Sequence, residues 1–266
     1  MSLQAILDTL TSQPGETQAR ASIPPGWGQG RATFGGLVAA IMQAHVQRSL
    51  SGSRPLRSAH IVFVGPATPG DISLQAESVR SGKSVLQVQC RASQNGVVVA
   101  LLTACFGVAR ESLLHLPAAP APAFRAPEDC LALPWLPGIT PEFTQHFDFR
   151  WDEGDLPFSG GEHANIDGWM RLRQPVPGAD PAMIMALIDA WPPTVTGLFK
   201  TVAPISTLSW SMEFITPTQE VAADGWWQYR ADTDASRDGY VQAHSTLWSP
   251  AGELVALNRQ TVAIFY

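Results

Sequence analysis

An α+β fold built from two tandem copies of one unit follows from three observations on this 266-residue chain. First, an apolar helix-like run precedes a series of strand-like runs in each half. Residues 35–48 precede strands that end near Arg110, and residues 181–190 precede strands that close the chain at Tyr266. Second, the halves overlay. LRSAHIVFVGP from Leu56 to Pro66 falls on TLSWSMEFITP from Thr207 to Pro217, with Phe63 over Phe214, and NGVVVAL from Asn95 falls on AGELVAL from Ala251. Third, the connections between strands are too short for parallel crossovers, so the sheets are antiparallel.

The elements follow in order. Residues 3–10 read as a short helix and 18–23 as a strand, before Pro24-Pro25-Gly26 breaks regular structure. After Phe34-Gly35-Gly36, the run LVAAIMQAHVQ places Leu37, Val38, Ile41, Met42, His45 and Val46 at helical spacing with no Asp, Glu, Lys or Arg. Such a helix is buried on most sides, and the glycines at its start permit close approach of another backbone or a ligand. Strands are expected at 58–64, 72–80, 84–92 and 97–109, with Asn95-Gly96 as a strong hairpin signal. Prolines 117, 120, 122, 127, 134, 137 and 141 then mark an extended linker. Strands near 145–151 and 167–173, the second helix at 181–190, and strands at 206–215, 226–233, 240–248 and 254–265 complete the second unit. The division is therefore 1–112, a linker over 113–141, and 142–266.

Composition excludes several classes. With 45% hydrophobic and 15% charged residues the chain is globular. A net charge of −6 with no basic patch speaks against nucleic acid. No apolar run reaches the ~20 residues of a membrane span, and MSLQAILDTL is no signal peptide, so a cytoplasmic protein is expected. Cys90, Cys105 and Cys130 lack CxxC spacing, and the first two read as core residues of a reduced protein. No His pair has metal-ligand spacing and no GxxxxGK[ST] loop is present, so neither metal nor cofactor is expected. His45, on the apolar helix face, reads as a satisfied core histidine.

Four stretches resemble the TesB-like acyl-CoA thioesterases. They are Thr33-Phe34-Gly35-Gly36; Arg57-Ser58-Ala59-His60 with Phe63 and Pro66; Val79 to Ser84 (VRSGKS) with Gln94-Asn95-Gly96 and Thr103-Ala104-Cys105-Phe106; and the C-terminal series around Thr207 and Gln260. The resemblance implies a double hotdog, in which two hotdog units each wrap an antiparallel sheet around a central helix. It implies acyl-CoA as substrate, with hydrolysis to free acid and CoA. By analogy, it also implies further association as a homodimer.

In that family the catalytic residues are an Asp on the second helix, a Thr or Ser opening the next strand, and a Gln on the last strand. By motif they fall on Asp189, Thr207 and Gln260. The same resemblance marks Phe34, Gly35, Gly36 and His60 as substrate-binding candidates, His60 also reading as a structural histidine, and Trp191, two residues after the acid and just before Pro192-Pro193, is placed to wall an acyl pocket. The repeat makes the same choice independently: Gln260 overlays Ala104, Thr207 overlays Leu56, and the first helix carries no acid. Taken singly, each residue also fits a structural role. The family's polar lead into the acid is replaced here by Leu187-Ile188, which keeps open a catalytically silent acyl-thioester-binding protein. A hotdog hydratase is the remaining alternative, and it would call for an Asp–His pair. An Asp at a helix C-terminus also needs a compensating partner.

Overall fold

The computed structural model describes residues 1–52, 54–216, 221 and 223–266, so Pro217 of the repeat overlay lies outside the described residues. A short helix, α1 (Leu3–Leu7), is capped by the Ser2 side chain on Ala5 N–H. Strand β1 (Gln18–Ile23) alternates exposed and buried residues, as a half-buried strand must. A small separate ribbon, β2 (Gly28–Gln29) with β3 (Ala32–Thr33), leads into the first central helix. This helix, α2 (Gly35–Val46), is buried at every position after Gly35, as its lack of charge predicts. A π-helical turn over Gln47–Ser51 ends it.

Strands β4 (Leu56–Phe63), β5 (Gly70–Ser81), β6 (Val85–Gln94) and β7 (Val97–Gly107) follow. Asn95 (φ 50°) and Gly96 (φ 78°) make the tight β6–β7 hairpin in the left-handed region that Asn-Gly tolerates. Within 113–141, the segment expected as linker, Leu131–Leu133 forms a short edge strand β8 against β9 (Phe147–Glu153). Strand β10 (Asn165–Leu172) precedes the second central helix α3 (Pro181–Ile188), in which every residue is buried. Asp180 caps α3 by accepting from Met183 N–H at 2.7 Å, and Pro181 occupies the first turn, where no donor is lost. The chain ends in β11 (Ile205–Phe214), β12 (Trp227–Arg237), β13 (Tyr240–Trp248) and β14 (Leu254–Ile264).

All the pairings are antiparallel, and they give one 12-stranded sheet in the order β1-β5-β6-β7-β4-β11-β14-β13-β12-β10-β9-β8. The seam between the halves is β4 against β11, with His60 opposite Ser211. Those two residues are equivalent in the repeat overlay, so the pseudo-twofold axis passes between them. The registers repeat as well. Ala59 pairs Ala104 in the first half, and Trp210 pairs Gln260 in the second. A β-bulge also recurs, between Leu56 and Ser58 and again between Thr207 and Ser209.

The helices lie together on one face of the sheet and share a single core with its inward residues. Aromatic residues lock the halves together: Phe34 stacks on Phe143 at 4.0 Å, and Trp27 stacks on His146 at 4.0 Å. His45 is a satisfied core histidine, with Nδ1 at 2.8 Å from Ser12 Oγ and Nε2 at 3.1 Å from the Thr17 carbonyl.

Candidate active site

Asp189 follows Ile188 as the C-cap of the second helix, its backbone still in the right-handed helical region. There its own helix dipole is unfavourable to a negative charge. The compensating partner is the start of the other helix. A methyl group placed on Gly36 would sit 3.1 Å from Asp189 Cβ, and one on Gly35 would sit 3.1 Å from Asp189 Oδ2 and 3.2 Å from Phe63 Cζ. Only glycine lets α2 begin so close to the acid.

The start of α2 is also electrostatically open. Phe34 offers no side-chain cap, so the positive end of α2 faces the carboxyl of Asp189, whereas α3 is closed by its own Asp180. Burial pushes the Asp189 carboxyl well above the ordinary carboxylate range, and the Gly36 N–H and the Gln260 side chain act against that rise.

Gln260 comes from β14, opposite Trp210 of β11. Trp210 is wholly buried and packs edge-on to Phe63 at 5.2 Å, so this pair faces the helices. Thr207 stands two register steps away, opposite Val262. Side chains alternate along a strand, and Ser209 would ordinarily share a face with Thr207. The bulge between them resets that alternation and turns Thr207 to the face that carries Gln260 and Val262.

A cleft lies beside this group, between the Trp191-Pro192-Pro193-Thr194 turn and the inward faces of β12, β13 and β14. Its free space is about 20 Å³, room for roughly one ordered water. Trp191 forms its wall, stacked parallel to Tyr229 at 5.4 Å, with its Nε1–H directed to Met170 Sδ at 2.9 Å. Gly168 makes that packing possible, since a methyl there would lie 2.5 Å from the Trp191 ring. Burial raises the Tyr229 hydroxyl above its usual range, Ser245 bonding works against this, and the charge of Asp189 adds to it. Asn258 donates to Ser245 Oγ at 3.0 Å on the same floor.

The expected residues therefore separate. Asp189, Gln260, Gly35 and Gly36 come together, Thr207 shares their sheet face, and Trp191 borders the cleft. Two substrate-binding candidates, His60 and Phe34, are not among the residues that line the cleft. His60 lies on the opposite face of the sheet, its Nδ1 at 2.9 Å from Ser211 Oγ, because Ala59 and Ile61 point inward on either side of it. Phe34 is wholly buried and stacks on Phe143. Tyr229, Ser245 and Asn258 were not foreseen. Asn258 precedes Gln260 by two residues and so shares its face, a signal that needed only the period of a strand.

Comparison with known proteins gives the family and the fold. The model of the acyl-CoA thioesterase N-terminal domain matches residues 23–107, and that of the C-terminal domain matches residues 127–264. The chain belongs to the acyl-CoA thioesterase family. Its fold is the family's TesB-like double hotdog. A hot dog fold protein of unknown function from Alicyclobacillus acidocaldarius is 24% identical, with 98% of each chain covered and a TM-score of 0.86. The acyl-CoA thioesterase II TesB2 of Mycobacterium marinum is 23% identical over 100% of this chain and 98% of its own, with a TM-score of 0.75. The tesB protein of Mycobacterium avium subs paratuberculosis is 18% identical, with 98% of each chain covered and a TM-score of 0.76. These likenesses establish the double hotdog fold. No curated protein sequence matches the chain significantly. Among the described residues, no helix of this thioesterase-family chain is long and apolar enough to cross a membrane.

Proposed function

We propose that this chain hydrolyses an acyl-CoA thioester to the free acid and CoA, with Asp189, Thr207 and Gln260 as its catalytic residues. The observation that carries the proposal is the meeting of the Asp189 carboxyl with the open start of α2 and the Gln260 side chain. A carboxylate whose proton affinity is raised by burial is a better base than an exposed one. Asp189 takes a proton from water while the oxygen attacks the thioester carbonyl carbon. Gln260 and Thr207 accept from and donate to that water, fixing its direction. The positive end of α2, with the Gly35 N–H, stabilises the oxyanion that develops on the carbonyl. Collapse of the tetrahedral species breaks the C–S bond, and the proton held by Asp189 passes to the departing CoA thiolate.

A panel of acyl-CoAs of increasing chain length, followed by thiol release, tests this reading. Wild type should release thiol, and both Gln260→Ala and Thr207→Ala should lower kcat by about 10–100-fold while retaining the native circular dichroism spectrum. Tight acyl-CoA binding without thiol release would instead indicate a binding protein. Water addition to an enoyl-CoA would indicate a hydratase.

A further inference from the structure

We infer that the outer face of the first unit carries a site for a small phosphate-bearing ligand, held between Arg20 and Arg91. This site is separate from the proposed active site, because it lies on the far side of the sheet from the helices and Asp189. Alternate residues of β1, β5 and β6 point into the core, and between them Gln18, Arg20, Ser73, Gln75, Arg91 and Ser93 border an outward trough. Its volume of about 390 Å³ is that of a small-molecule pocket. Every polar side chain that borders it can donate a hydrogen bond, and none is a carboxylate. Asp71 and Glu77 continue the outward row of β5 on either side but do not line the trough. Among the described residues, neither Arg20 nor Arg91 is in an ion pair. They stand two strands and two residues apart, roughly 12 Å between Cα atoms, a span that two arginine side chains can close from its ends.

The second unit shows how the same face is satisfied from within the chain. In the repeat Leu101 overlays Leu257. The cross-sheet row Gln18, Gln75, Arg91, Leu101 therefore corresponds to Asp167, Arg230, Thr246, Leu257. There Asp167 accepts from Arg230 Nε at 2.8 Å, and residues 122–125 lie over the pair. The Arg230 guanidinium sits 5.3 Å from the centre of the Phe124 ring, and the carbonyls of Pro122 and Arg125 accept from Gln228 at 3.3 Å and Trp169 at 2.9 Å. In the first unit Gln18 takes the place of Asp167, so the guanidiniums there have no carboxylate in their row. A guanidinium fork matches the oxygens of a phosphate, with parallel charge-assisted bonds. An anion from solution thus supplies the charge that Asp167 supplies in the second unit. Two guanidiniums on one trough suit a diphosphate better than a single phosphate.

Isothermal titration calorimetry of the full chain at low salt, with inorganic pyrophosphate, inorganic phosphate and tetraglutamate as probes, tests this. Pyrophosphate should bind saturably at one site per chain and more tightly than phosphate. Arg20→Gln and Arg91→Gln should each weaken it by about tenfold or more, the effect of losing hydrogen bonds to a charged group. Both arginines are exposed and remote from Asp189, so both variants should keep the native circular dichroism spectrum and the wild-type rate of thiol release. No pyrophosphate binding would overturn the inference. So would binding that is unchanged in the Arg20→Gln/Arg91→Gln double variant, because the anion would then sit elsewhere, such as where the substrate's own phosphates bind. Tetraglutamate bound more tightly than pyrophosphate would also overturn it, marking the trough as a seat for an acidic peptide. None of these results bears on the hydrolase reading, which thiol release tests separately.

Discussion

At the residue scale, Asp189 answers to two opposed influences. Burial favours its neutral form, while the Gly36 N–H and the Gln260 side chain favour the charged form, and burial dominates. The folded protein therefore holds this proton more tightly than the unfolded chain does. The stability so gained is full below the ordinary carboxylate range and is lost as pH rises through the elevated value. As the proposed base Asp189 works only when deprotonated, so kcat/KM should climb along an acid limb lying well above the ordinary carboxylate range. A pH–rate profile flat down to the ordinary range would contradict that assignment. At a pH above that elevated value Asp189→Asn removes a charge from this enclosed position, so its Tm there should rise by about 2–4 °C for each kcal/mol regained. A lower Tm in calorimetry would mean the carboxylate is favoured where it stands.

At the element scale, the site depends on how closely the two helices approach. A Gly36→Ala methyl would lie 3.1 Å from Asp189 Cβ and 2.5 Å from the Phe34 ring. We expect a loss of about 1–3 kcal/mol in denaturant unfolding, from overpacking, and a larger proportional loss of kcat. A variant with native stability and native kcat would show that the approach is not needed. This is also where the sequence was least legible. The helix and strand periods were readable, and the repeat overlay matched the observed registers of Gln260 with Trp210 and Ala104 with Ala59. The bulge that turns Thr207 inward is set by pairing with β14 and leaves no local signature. Without the pairing, His60 could not be assigned to a face. The stacking of Phe34 on Phe143 was not legible either, because the two lie over a hundred residues apart.

At the scale of the whole molecule, duplication supplied two equivalent helix ends, and only one of them is open. Where α3 begins, Asp180 caps its own helix within electrostatic reach of Arg48. Where α2 begins, the cap is missing and Asp189 of the other half fills the place. Both halves therefore build the proposed site, although its polar side chains come from the second. The sequence showed that inequality but not the contribution of the first half's helix start, which depends on how the helices pack. The aromatic contact between halves should matter to this arrangement. Phe143→Ala should cost about 3–5 kcal/mol in denaturant unfolding, and a loss below 1 kcal/mol would mean that the stack with Phe34 is dispensable. The central claim is that Asp189 is the base of a single thioesterase site, and the most direct measurement is kcat of folded Asp189→Asn on an acyl-CoA that wild type hydrolyses. The account predicts a fall of about 10²–10⁴-fold, and hydrolysis at the wild-type rate would contradict it.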